Sequence, residues 1–159
     1  MIIRPAVLED MPALQLLYQK QFADLQRHQP YSFKADLPAL SFLQETIEEE
    51  DGEFLLAFDQ DQLVGMTALF IEQTLPYECF VSHRYLNFAD LYVEEAYRNQ
   101  GIGKQLIQAV KDWAKQKQVD YIELLVLKQN SKALQLYIEQ EFEIVHTTMR
   151  YRLDQILNF

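Results

Sequence analysis

Two of the chain's four glycines, Gly101 and Gly103, stand with one residue between them. They follow a β-prone stretch from Tyr85 to Val93 and open a helical segment from Gly101 to about Gln118, in which Ile102, Leu106, Val110 and Trp113 form one stripe. A strand that runs through a glycine-broken turn into an amphipathic helix needs a sheet for that helix to pack on. Neither an all-helical bundle nor an all-β sandwich provides this arrangement.

The rest of the chain extends the pattern. Ile2–Arg4 reads as a short strand ended by Pro5, followed by a helix capped near Asp10 with Leu14, Leu17, Tyr18, Phe22 and Leu25 at helical spacing. Leu40, Leu43 and Ile47 suggest a second helix between Pro38 and Gly52. Phe54–Phe58 and Leu63–Ile71 read as two strands joined at Asp59-Gln60-Asp61, and residues 73–83 read as a loop around Pro76. After the long helix, Tyr121–Leu127 suggests a buried strand, Asn130–Gln140 a helix, and Phe142–His146 and Met149–Leu153 two last strands. The expected order is β-α-α-β-β-β-α-β-α-β-β. It describes one mixed α/β (α+β) domain over residues 1–159, with a right-handed, parallel strand–helix–strand unit.

A chain of 159 residues with 49% hydrophobic residues can bury a core without covalent staples. The single cysteine, Cys79, excludes an intrachain disulfide, and three scattered histidines give no metal-ligand pattern. No apolar run approaches a membrane span, and the opening residues do not read as a signal peptide. The expectation is a cytoplasmic protein with no metal and no membrane partner. A formal net charge of −10 disfavours nucleic acid. Residues 9–95 hold 17 acids and four bases, whereas residues 98–132 hold seven bases and three acids. An anionic ligand suits the second region and a cationic one the first, although a solvated surface with local charge fluctuations explains the same counts.

The chemistry concentrates in Leu91-Tyr92-Val93-Glu94-Glu95-Ala96-Tyr97-Arg98-Asn99-Gln100-Gly101-Ile102-Gly103-Lys104. A helix start offers unpaired N–H groups and the positive end of the dipole, and glycines let phosphate oxygens come close. Arg98 and Lys104 add charge. A dinucleotide fingerprint would need glycine at position 106, which is Leu106, and a P-loop would need glycine at 98 and Ser or Thr at 105, which are Arg98 and Gln105.

The Arg-x-x-Gly-x-Gly segment between strand and helix resembles the pyrophosphate loop of the GNAT N-acetyltransferase superfamily. Asn130, Ala133, Tyr137 and Phe142 match that family's following helix and aromatic, and Ile3-Arg4-Pro5-Ala6 with Glu9-Asp10 is typical of its opening. Glu141 departs from the pattern, because the family usually has glycine there. The resemblance implies a GNAT-type fold with splayed fourth and fifth strands and acetyl-CoA as co-substrate. It implies that the backbone of Leu91, Tyr92 and Val93 bonds the acetyl-pantetheine arm. Arg98, Asn99, Gln100, Gly101, Ile102, Gly103 and Lys104 would then hold the pyrophosphate, and Asn130 would contact the arm from the other side. Tyr137 corresponds to the general acid of many members, acting on the CoA sulfur, and contacts the cofactor. A half-buried core aromatic is the plainer reading of the same residue.

Asp90 is the candidate base, placed one residue before the backbone that would hold the acetyl group. A structural carboxylate is its plainer reading. Glu72, Glu78, His83 and Tyr85 are weaker candidates. The function this implies is direct transfer of an acetyl group to a primary amine. The acidic half suits a small cationic acceptor, with a protein lysine or N-terminal amine as the alternative acceptor. A non-catalytic acyl-CoA-binding module or sensor is the alternative from another class. Tyr151, Leu153, Ile156, Leu157 and Phe159 make the tail apolar, which fits either a homodimer or packing on its own domain.

Overall fold

Sheet order follows chain order. In the computed structural model, which describes residues 1–153, β1 (Ile2–Pro5), β2 (Gly52–Asp59), β3 (Gln62–Gln73) and β4 (Arg84–Val93) are successive antiparallel neighbours. β5 (Ile122–Glu123) joins β4 in parallel and completes a mixed five-stranded sheet. The α-helices among the described residues are α1 (Met11–His28), α2 (Leu40–Glu48), α3 (Ile102–Gln116) and α4 (Ser131–Glu139). None is long and apolar enough to cross a membrane. The described residues divide into two compact units, 1–125 and 126–153. The sheet and α1–α3 form the first, and α4 lies in the second.

In the first unit both faces of the sheet are covered, which is why β2 and β3 read as nearly continuous apolar runs. On one face Leu14, Leu17 and Tyr18 of α1 and Leu43 of α2 pack with Phe54, Leu56, Met66, Ala68 and Tyr92. Burying each large side chain of this kind contributes about 1.5–3 kcal/mol. On the other face Ile102 and Leu106 of α3 meet Ala57 and Val64, with Leu91 and Val93 packed beside them. Gly65 makes that approach possible, because a Cβ there would stand 3.2 Å from Leu106 Cδ1 and 3.3 Å from the Tyr92 carbonyl oxygen.

β4 carries the feature that shapes the site. Leu69 pairs with Phe88 but Ala68 pairs with Asp90, so Ala89 is an extra residue in the ladder. The parallel pairing with β5 covers only Leu86↔Ile122 and Asn87↔Glu123. It stops where the bulge begins, since a bulge bends its strand and ends regular pairing. The two strands therefore part after Asn87.

Three expected strands differ in the structure. The strand expected over Tyr121–Leu127 is reduced to Ile122–Glu123, for the reason just given. Phe142–His146 and Met149–Leu153 form no strand. Ile144, Val145, Met149 and Tyr151 are all exposed, so their alternation finds no buried face, and alternation without a ladder partner does not hold a strand. Of the apolar tail, Ile156, Leu157 and Phe159 lie outside the described residues.

Candidate active site

The open edge of β4 can be derived from its register. The Glu94 N–H donates to the Val64 carbonyl at 2.9 Å, so these two residues face each other in the β3–β4 ladder. Backbone groups alternate along a strand, so Tyr92 and Asp90 also turn theirs to β3. Val93 and Leu91 turn theirs the other way, to the side where β4 has no strand neighbour after Asn87 among the described residues. Arg98 Nε confirms the direction by donating to the Val93 carbonyl at 2.8 Å. Of the three residues expected to present backbone, Leu91 and Val93 thus offer theirs to the open edge, whereas the Tyr92 backbone is turned into the sheet.

Beyond Val93 the chain makes one 3-10 turn, Glu95–Tyr97, and enters the glycine loop. Asn99 and Gly101 both adopt left-handed conformations, with φ of 61° and 81°. Left-handed residues alternating with ordinary ones gather successive N–H groups into a concave nest that suits an anion. Gly101 is the N-cap of α3, and no side chain caps that end. The N–H groups of Ile102 and Gly103 in the first turn therefore have no intrahelical partner. A Cβ on Gly101 would meet nothing within 4 Å, so the glycine serves conformation rather than space.

Arg98 is less available than its position in the loop suggests. Its Nη2 donates to Asp24 Oδ2 at 2.8 Å, and its guanidinium lies 5.3 Å from the centre of the Tyr92 ring. Burial pushes the Asp24 carboxyl up, but Arg98, Arg27 and the Tyr92 hydroxyl outweigh it and hold the carboxyl below its usual value. Arg98 thus ties the end of β4 to α1. Beside this tie a cleft of about 530 Å³ lies between Lys20, Asp24 and Arg27 of α1 and Tyr92, Glu94 and Ala96. Lys20 pairs with Glu94, and Arg27 with Asp24.

Asp90 faces α1. Its Oδ2 accepts from the Tyr18 hydroxyl at 3.0 Å and its Oδ1 from Gln21 Nε2 at 2.7 Å. Burial raises its pKa above the ordinary aspartate value, and the two hydrogen bonds oppose that shift only in part. Burial also pushes the Tyr18 hydroxyl well above the usual tyrosine range, and the neighbouring Asp90 carboxylate adds to this. A part-buried carboxyl whose pKa is raised by desolvation, on the strand that leads into the glycine loop, is a candidate proton acceptor.

Sequence reasoning missed these partners. The sequence places Tyr18 at helical spacing with Leu14 and Leu17 but gives it no role, and it does not single out Gln21. The available signal was a glutamine on the stripe Leu14, Leu17, Tyr18, Gln21, all of which are buried.

Of the weaker candidates, Glu72 and Tyr85 occupy each other. Glu72 accepts from the Tyr85 hydroxyl at 2.8 Å and from Asn87 Nδ2 at 2.7 Å, and the bond to Glu72 pushes the Tyr85 pKa up to about 12. His83 Nδ1 lies 3.0 Å from Asp120 Oδ2. Glu78 is exposed.

In the second unit, Asn130 is the N-cap of α4, and its Oδ1 accepts from the Ala133 N–H at 3.2 Å. Tyr137 is buried, with its ring edge-on to Phe142 at 5.7 Å. The helix then ends in a closed motif. Phe142 N–H donates to the Tyr137 carbonyl and Glu141 N–H to that of Ile138, both at 3.0 Å, with Glu141 left-handed at φ 67°.

The model of the acetyltransferase (GNAT) family matches residues 13–142. An uncharacterized N-acetyltransferase of Bacillus subtilis (strain 168), YhfO, is 29% identical over 145 residues, covering 90% of this chain and 90% of its own. Among solved structures, a tetramutant of the BH1408 protein of Bacillus halodurans superposes with a TM-score of 0.88 at 24% identity, over 96% of this chain and 100% of that one. An aminoglycoside N-acetyltransferase, AAC(6')-Iy, solved in complex with CoA, superposes with a TM-score of 0.72 at 19% identity, over 95% of this chain and 98% of that one. Both structural likenesses are likenesses of fold.

Proposed function

Because the chain belongs to the GNAT acetyltransferase family, and is by that membership an N-acetyltransferase, we propose that it moves the acetyl group of acetyl-CoA directly to the primary amine of a small cationic acceptor. The observation that carries this reading is the open edge of β4 at Leu91 and Val93 leading into the uncapped, doubly left-handed start of α3. An extended amide arm can add to such an edge as a strand would, and a diphosphate matches the N–H groups of residues 99–104.

Each residue then has a task. The backbones of Leu91 and Val93 hold the pantetheine arm, with the Tyr92 side chain as part of the wall. Asn99, Gln100, Gly101, Ile102, Gly103 and Lys104 hold the pyrophosphate, and Arg98 fixes the loop to α1. Asn130, whose carbonyl caps its own helix, contacts the arm through its amide N–H groups. An aliphatic amine with a pKa of about 10.4 is mostly protonated at neutral pH, so a proton must leave before attack. Asp90 accepts it. The amine nitrogen then bonds to the thioester carbonyl carbon, the carbon–sulfur bond breaks, Tyr137 protonates the departing thiolate, and the second proton shed by the nitrogen restores the Tyr137 hydroxyl.

The surplus of acids over bases in residues 9–95 favours a cationic acceptor. The aminoglycoside substrate class named for one structural neighbour is of that kind.

The test is release of CoA thiol from acetyl-CoA with polyamines, aminoglycosides, amino acids and lysine peptides, comparing wild type with Tyr137→Phe. The expected result is release with one amine class that falls roughly 100-fold or more in the variant. Unchanged turnover in the variant would reject Tyr137 as the acid. Saturable binding of acetyl-CoA without release across the panel would favour an acyl-CoA-binding module.

A further inference from the structure

The Gln21 side chain is only half satisfied. Its Nε2 donates to Asp90 Oδ1, yet its Oε1 is buried and has no hydrogen-bond donor among the described residues. The residue as a whole is 7% exposed. An unpaired buried carbonyl destabilises the fold, and a leucine or methionine at this position of α1 would avoid that cost.

We infer that Gln21 is a positioning residue for Asp90, an amide that turns over to follow a proton onto and off the carboxylate. This rests on the reading of Asp90 as the base. While Asp90 is a carboxylate, Oδ1 needs a donor, and Gln21 Nε2 supplies it. When the acceptor's ammonium gives up its proton, the N–H bond breaks, an O–H bond forms at Oδ1, and the amine is left neutral. Asp90 then presents a donor where it had presented an acceptor. A half-turn of the Gln21 amide brings Oε1 to receive it. An amide bonded at both ends would be locked in one orientation. Gln21 is bonded only at Asp90, and turning moves the unpaired end from one atom to another at similar cost. Protonation of Asp90 therefore decides the orientation.

The Tyr18 hydroxyl, which can donate or accept, holds the other oxygen throughout. The groups acting on Asp90 are these two residues of α1. Ala68 lies opposite it on β3, and the Arg98–Asp24 pair sits farther along at Tyr92.

The direct test is NMR of the wild-type protein with labelled glutamine side chains and labelled Asp90 carboxyl, titrated through the Asp90 transition. Expected are nuclear Overhauser contacts from the Gln21 Nε2 protons to the Asp90 methylene above the midpoint, and their loss below it. The Gln21 carbonyl carbon should shift at the same midpoint. Contacts that persist unchanged through the transition would overturn the inference.

The kinetic test is Gln21→Leu. It should lower kcat roughly 5- to 100-fold, leave the KM for acetyl-CoA unchanged, and move the acid limb of the pH profile. A variant with the wild-type pH profile and kcat would also overturn the inference. Full activity in Asp90→Asn would instead refute Asp90 as the base, a failure the NMR titration distinguishes from a fixed amide.

Discussion

The glycine loop and the Asp90 cluster are two polar sites a few residues apart in sequence, built in opposite ways. The loop is backbone. Its shape comes from two left-handed residues and its polarity from N–H groups that any sequence would carry. The cluster is side chain. It takes a carboxyl from β4 and closes it with a hydroxyl and an amide from α1, separated from it by 72 and 69 positions. A site made of backbone depends on local conformation and tolerates exchange of its side chains. A site made of side chains depends on tertiary packing and tolerates almost none. Substitutions should therefore separate the two sites by which kinetic constant they move.

The largest effect belongs to the cluster. Asp90→Asn keeps the shape and removes the proposed base, so kcat should fall roughly 100- to 10,000-fold while the KM for acetyl-CoA stays near wild type. The same substitution has a stability signature of known sign. A carboxyl whose folded pKa is raised contributes stability that is full below the unfolded value near 3.8 and is lost as pH rises through the folded value. Asp90→Asn removes this dependence. Thermal unfolding at pH 4 and pH 8 should thus show the variant gaining on wild type as pH rises. A variant that loses ground at pH 8 would mean that the carboxylate stabilises the fold, and the cluster would be structural.

The next effect belongs to the loop. Alanine at position 101 must accept φ 81°, at a cost of roughly 1–2 kcal/mol. Because a Cβ there meets nothing, the penalty is conformational and not steric. Gly101→Ala should weaken acetyl-CoA binding roughly tenfold by calorimetry, with kcat at saturation largely kept. Gly101→Asn, which tolerates the left-handed region, should lie between alanine and wild type. Equal losses for alanine and asparagine would mean that side-chain bulk at the phosphate, rather than backbone conformation, sets the affinity.

This division also explains what the sequence made legible. The loop, the helix behind it and the buried stripe of α3 could be read from residues 85–118, because each depends on neighbours within a few positions. The face to which Asp90 points could not be read. Alternation along β4 puts Asp90 on the face of Tyr92, but only the packing of α1 shows that this face carries Tyr18 and Gln21. The splay of β4 from β5 came from family resemblance. Its local cause, an extra residue at Ala89, leaves no mark in an apolar strand. The two strands expected after Glu141 failed for a related reason: their alternation was real, but pairing is a property of two segments.

The smallest effect tests whether a backbone rule operates in the second unit as it does in the loop. At the end of α4, Glu141 occupies the one position of the closing motif that must be left-handed, and it does so at φ 67° with a Cβ and a negative charge. The Cβ strains the backbone, and the charge sits at the negative end of the helix dipole. Glu141→Gly removes both, while a glycine costs more conformational entropy on folding. The net gain should be about 0.5–1 kcal/mol in chemical denaturation. The two hydrogen bonds of the motif and the Tyr137–Phe142 ring contact do not involve the Glu141 side chain. The gain should therefore come without a change in kcat. If kcat changed with stability, the strained turn would be setting the position of Tyr137, and a backbone conformation would be governing side-chain chemistry here too.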